Sequence, residues 1–170
     1  MLLEIEKRNG DVRITGYVNA VGRESRVLHD KDGEFIEIIE PRTFAQALEQ
    51  NENVGLMFNH VRDLEHSSFT LEEDNIGLKV DVVTSDPEVM DKAERNLLSG
   101  WSFGFNGCEC EWEARDDGMR IRHVRSLNLI EVSLLDCTPA YYATSVEVRE
   151  QQPNNLDLYK LKLEFINEVK

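Results

Sequence analysis

The sequence is short of basic residues, of paired cysteines and of long apolar runs, and each shortage closes off a class of function. Only 19 Lys and Arg stand against 33 Asp and Glu, giving a formal net charge of −14 over 170 residues. A surface that acidic repels phosphate backbones, so no nucleic-acid partner is expected. No apolar run approaches the length of a membrane span, so no membrane partner is expected either. Met1–Lys7 has neither the basic flank nor the apolar block of a secretion signal. Cys108, Cys110 and Cys137 are an odd set, which without such a signal points to reduced thiols in a cytoplasmic setting. Cys108 and Cys110 would share a strand face, but a closed zinc site needs four ligands. No second pair follows and only His123 is near, so neither a metal nor another cofactor is expected. The Gly-x-Ser-x-Gly elbow, the Walker loop and the His-Glu-x-x-His helix are also missing. What remains suits one globular domain: 41% hydrophobic and 31% charged residues, with length enough to bury a core.

The stretch Leu97–Phe105 organises the chain. Upstream, Ser85-Asp86-Pro87-Glu88 reads as a helix start, with Ser85 and Glu88 at capping-box spacing and an early proline. Val89, Ala93 and Leu97 recur on one helical face, and Gly100 supplies the stop. Beyond Gly100 the period becomes two, so Trp101, Phe103 and Phe105 point one way and Ser102, Gly104 and Asn106 the other. Ser102 then has a fixed backbone and, on its own face, only glycine beside it. A serine nucleophile needs that access; the alternative is an ordinary strand serine.

Before this stretch, Leu3/Ile5 and Val12/Ile14 alternate around Asn9-Gly10, the strongest hairpin signal in the chain. Gly22 to Gly33 reads as a polar loop and Glu34 to Glu40 as a strand. Pro41 opens a short helix with Thr43 as cap. Val54, Leu56 and Phe58 form a strand leading to His60, which parity puts on their apolar face. His66 follows in a polar loop, and Phe69–Leu71 with Leu78–Val83 make another hairpin. Trp112 to Gly118 reads as a charged loop, and Leu127 to Leu135 as a strand buried on both faces. Its exception, Glu131, must be paired or protonated, with a salt bridge to Arg120, Arg122 or Arg125 and a functional role as the two readings. Val146 and Val148 mark a last strand. Residues 1–150 form the domain. After Gln151–Asn155, residues 151–170 are read as a helical tail and association segment. Many strands with few short helices imply an α+β, β-rich fold, a closed or barrel-like, mainly antiparallel sheet ringed by helices.

Ser102, His60 and Glu131 are the residue types of an acyl-transfer triad: nucleophile, base, and a carboxylate that fixes the base's tautomer. Short stretches in the same order run along the whole body. They are Gly16–Ala20, Glu37–Pro41 with Phe44, Asn59-His60, Glu73-Asp74 with Gly77-Leu78, Trp101–Phe105, Leu129–Leu134, and Pro139–Tyr141. Together they resemble the tailed-bacteriophage prohead protease family, whose fold is similar to that of the herpesvirus assemblins. The resemblance covers Asp11 to Arg149. It implies Ser102 as nucleophile, His60 as general base and Glu131 where assemblins use a second histidine. It places the oxyanion donors among the backbone N–H groups of Asp136 to Ala143, Pro139 excluded. Val61 stands where the family has an acidic residue, and Pro41-Arg42-Thr43 departs from its Pro-Gly.

The function so implied is a serine endopeptidase in the host cytoplasm, inside a phage procapsid, cleaving scaffold segments of the major capsid protein and itself. A homodimer is implied as well. The rivals are a catalytically silent assembly module on the same fold, and a metal-dependent hydrolase using His60, His66 and His123.

Overall fold

The computed structural model describes residues 3–8 and 10–140. The expected last strand and the helical tail from 151 lie outside them. β1 (Glu4–Lys7) and β2 (Val12–Ala20) form the hairpin that Asn9-Gly10 announces, pairing antiparallel with Ile5 opposite Ile14. β7 (Ser67–Glu73) and β8 (Gly77–Thr84) make the second hairpin, and β8 pairs antiparallel with β2. The resulting four-stranded sheet runs β1-β2-β8-β7.

The second sheet is built on β10 (Arg120–Leu135). One edge of β10 takes β9 (Gly100–Ala114) antiparallel along its whole length. The other edge takes β4 (Gly33–Ile39) and then β5 (Gly55–Phe58), both parallel. β3 (Leu28–Asp30) extends β4, and β6 (Arg62–Asp63) extends β5. With α1 (Thr43–Gln50) and α2 (Pro87–Glu94), the architecture is α+β and β-rich, a curled and partly closed sheet with two short helices among the described residues. One core joins both sheets, with Ile14, Val18, Val80, Val82, Phe44, Trp101, Leu129 and Leu134 buried in it.

Several local expectations shift. The region read as a loop from Gly22 contains β3 and a bridge from Glu24 to Ile38. β9 runs on through Trp112, so the charged turn between β9 and β10 begins only after Ala114. Thr43 does not cap α1: it is buried and donates its hydroxyl to the Val124 carbonyl. The cap comes from β7, where the Glu73 carboxylate accepts from the N–H groups of Arg42 (2.5 Å) and Ala45 (2.7 Å). Asp86, not Ser85, caps α2, accepting from Glu88 N–H (3.1 Å) and Val89 N–H (3.0 Å) ahead of Pro87. That helix stops at Glu94, so Leu97 falls in the following turn and is exposed, while Leu98 is buried.

Asp86 also receives both guanidinium nitrogens of Arg62, at 2.6 and 2.9 Å. Those bonds outweigh the desolvation of burial and hold its carboxyl below the usual carboxylate range. Since the folded value is depressed, the stabilisation is complete above the unfolded pKa of about 3.9. It is lost as pH falls through the folded value. Asp86→Ala removes a helix cap and half an ion pair at once, an expected cost of about 2 kcal/mol in denaturant unfolding at neutral pH. The difference from the unmodified protein should shrink in acid.

Candidate active site

β9, β10 and β5 lie side by side, and their two faces divide the labour. Trp101, Phe103, Val132, Leu134, Leu56 and Phe58 form the core face. On the other face, Ser102 lies directly opposite Ser133, and Gly104 opposite Glu131, while Gly55 and Met57 flank Glu131 and Ser133 from β5.

A β-bulge puts Glu131 on that face. Leu129 pairs with Phe105 and Glu131 with Gly104, so β10 spends two residues where β9 spends one. The extra residue is Ile130, which is 44% exposed. Strict alternation would send Glu131 into the core with Leu127 and Leu129; the added residue reverses the parity of everything after it. The segment is therefore buried on one face up to Ile130, with Asn128 and Ile130 exposed, and on both faces, as its composition suggests, only from Glu131 to Leu135.

His60 arrives by a different device. Asn59 and His60 both have left-handed backbones, with φ of 54° and 57°. Asn tolerates this region and His less readily, so the turn is held by bonds at each step. Asn59 N–H donates to the Leu134 carbonyl (2.9 Å), His60 N–H to Ser133 Oγ (3.1 Å), and Asp136 N–H to Asn59 Oδ1 (3.2 Å). The turn folds the imidazole back over β10. It does not stay on the apolar face of Leu56 and Phe58 where parity puts it, because two left-handed residues end the alternation.

His60 Nδ1 then lies 2.6 Å from Glu131 Oε1. Glu131 is 7% exposed, and its other oxygen accepts from Ser133 Oγ at 2.7 Å. The three arginines that could have neutralised it are occupied elsewhere: Arg120 with Asp30, Arg122 with Glu37 and Arg125 with Glu111. The salt-bridge alternative is thus replaced by a carboxylate–imidazole pair. An ionised carboxylate only accepts, so Nδ1 carries a proton, and in a neutral ring Nε2 is the basic nitrogen. Ser102, 9% exposed, stands one strand away on the same face; its hydroxyl makes no hydrogen bond to His60 among the described residues.

Gly104 sets the depth of the carboxylate. A Cβ there would fall 2.5 Å from Glu131 Oε1 and 3.2 Å from its carboxyl carbon. In the sequence Gly104 reads as open space beside Ser102; its closer neighbour in the fold is Glu131. Ser133 was missed altogether. The only signal available was its place two residues after Glu131, a spacing that puts both on one strand face.

The other histidines lie apart. His66 borders a shallow depression lined by Gly10, Asp11, Ser67, Ser68 and Thr84, on the first sheet. His123 sits between Glu40 (Nδ1, 2.8 Å) and Glu113 (Nε2, 3.2 Å). Among the described residues no group of three or more His, Cys, Asp and Glu is placed to hold a metal ion, and no helix is long and apolar enough to cross a membrane.

The loop after β10 is tied to the rest. Arg26 donates through its N–H to the Ala140 carbonyl (2.9 Å) and through Nε to that of Pro139 (3.1 Å). Lys92 of α2 pairs with Asp136 at 2.8 Å, the main reason its pKa is raised.

A family model described as Caudovirus prohead serine protease matches residues 2–158. Neither a curated protein nor a solved structure matches the chain.

Proposed function

The chain belongs to the caudovirus prohead serine protease family, and we propose that Ser102, His60 and Glu131 are its catalytic residues. It is a serine protease of phage capsid maturation, acting on capsid and scaffold substrates. The observation that carries the assignment of residues is the 2.6 Å contact between buried Glu131 and half-buried His60, beside the strand that bears Ser102.

In this reading Nε2 of His60 takes the Ser102 proton as Oγ attacks the scissile carbonyl. Glu131 stabilises the imidazolium that forms, and the same nitrogen then protonates the leaving amine. Substrate binding brings Ser102 and His60 into hydrogen-bond contact, as catalytic bonds commonly tighten only in the complex. The oxyanion donors come from the loop after β10. Asp136 already donates its N–H to Asn59 and Pro139 has none, which leaves residues 137, 138 and 140–143. Membership of the prohead protease family supports self-cleavage and action inside the procapsid within the host cytoplasm, and the likeness to assemblins supports a homodimer.

A fluorophosphonate probe tests this directly. The folded chain should be labelled, and peptide mass spectrometry should find the adduct on Ser102. An adduct on another residue, Ser133 included, or none on the folded dimer, rejects the assignment. Absence of labelling would favour the silent assembly module.

A further inference from the structure

We propose that Ser133 is a positioning residue for this protease: its hydroxyl fixes both the ring partner and the backbone of His60, and so determines the rate of the chemical step. The inference rests on the assignment of Ser102, His60 and Glu131 above.

A serine hydroxyl has one proton to give and two lone pairs to accept with. Ser133 gives its proton to Glu131 Oε2 at 2.7 Å and accepts the His60 N–H at 3.1 Å. The first bond immobilises the carboxylate so that Oε1 is the oxygen presented to Nδ1, 2.6 Å away. The second holds the main chain of His60 at φ 57°, a conformation that needs outside support. One side chain therefore controls the imidazole from both ends, through the carboxylate and through the backbone. Ser133 is 0% exposed, so water cannot replace either bond. It also explains which of the two facing serines reacts. Ser102 and Ser133 are register partners on one face, but the Ser133 proton is already committed to Glu131 and Ser133 is shut away from substrate.

Ser133 touches neither substrate nor the reacting atoms, so its signature is a loss of rate without a loss of binding. The test uses the full chain and the rate of fluorophosphonate labelling, separated into probe affinity and maximal inactivation rate, for Ser133→Ala, Ser133→Thr and Ser102→Ala. Folded Ser133→Ala should keep its affinity for the probe and react roughly ten- to a hundredfold more slowly. Ser133→Thr, which restores the hydroxyl, should return to within about threefold of the unmodified chain. A folded Ser133→Ala that reacts at the normal rate, or a Ser133→Thr no faster than Ser133→Ala, overturns the proposal. If Ser133→Ala does not fold, NMR of the unmodified protein decides. A slowly exchanging Ser133 hydroxyl proton with a cross-peak to the His60 amide supports the proposal, and a hydroxyl in fast exchange with water refutes it. Ser102→Ala keeps the two readings apart. Persistent labelling of Ser102→Ala removes the triad assignment itself. Loss of labelling there, with normal labelling of Ser133→Ala, removes only the role of Ser133.

Discussion

Ser102→Ala should abolish processing of co-expressed capsid protein, by at least about 10⁴-fold, while its melting temperature stays close to that of the unmodified chain. The hydroxyl is needed for bond formation alone. Among the described residues it makes no hydrogen bond to His60, so its loss breaks no bond of the Glu131–His60 pair. His60→Ala should be as severe, and the double variant no worse than either single one, because a nucleophile and its base act as one unit. His66→Ala is the control. It has serines beside it and looks in sequence like a second candidate base, but it lies in the turn just before β7, in the sheet that does not carry Ser102. Its loss should cost less than about tenfold, or 1.4 kcal/mol of barrier. Gel quantification of capsid cleavage, with circular dichroism on each variant, reads all four. A reversed order of His60 and His66 would move the base to the other sheet and dissolve the site.

Much of this was legible in the sequence wherever a signal is local. Asn9-Gly10 dictates its own turn type, and the alternation of Trp101, Phe103 and Phe105 dictates which way Ser102 points. What was not legible depends on partners distant in the chain. Ser85 and Asp86 are both competent caps by type. Asp86 prevails because Pro87 occupies the first helical position after it and Arg62 anchors its carboxylate. For α1 the capping carboxylate is Glu73, 31 positions from Arg42, and no local pattern reveals it. The bulge was written in the residues but hard to read. Leu127 and Leu129 keep one parity and Val132 and Leu134 the other, so an extra residue must lie between them. His60 was displaced from its expected face for a related reason. Alternation is a property of extended backbone, and Asn59 ends it.

The bulge and the turn converge on Glu131, and the change with the most chemistry at stake is therefore Glu131→Gln. The amide preserves shape but can present its NH₂ group to Nδ1, which favours the tautomer with its proton on Nε2 and removes the base. It also removes the charge that stabilises the imidazolium. The expected loss of turnover is roughly 100- to 10,000-fold, about 3 to 5 kcal/mol of barrier. Gly104→Ala approaches the same bond from the other side. Its methyl would fall 2.5 Å from Oε1, so the carboxylate must withdraw from Nδ1 or β9 must shift away from β10. Turnover should fall by roughly tenfold or more although no charged or polar group is deleted. A Glu131 of purely structural importance makes the opposite prediction for both variants: a lowered melting temperature, with normal turnover per folded molecule. Measuring melting temperature and turnover on one preparation of each separates the cases. If Glu131→Gln melts early and cleaves normally, Glu131 leaves the triad, and the 2.6 Å contact with His60 is a feature of folding alone.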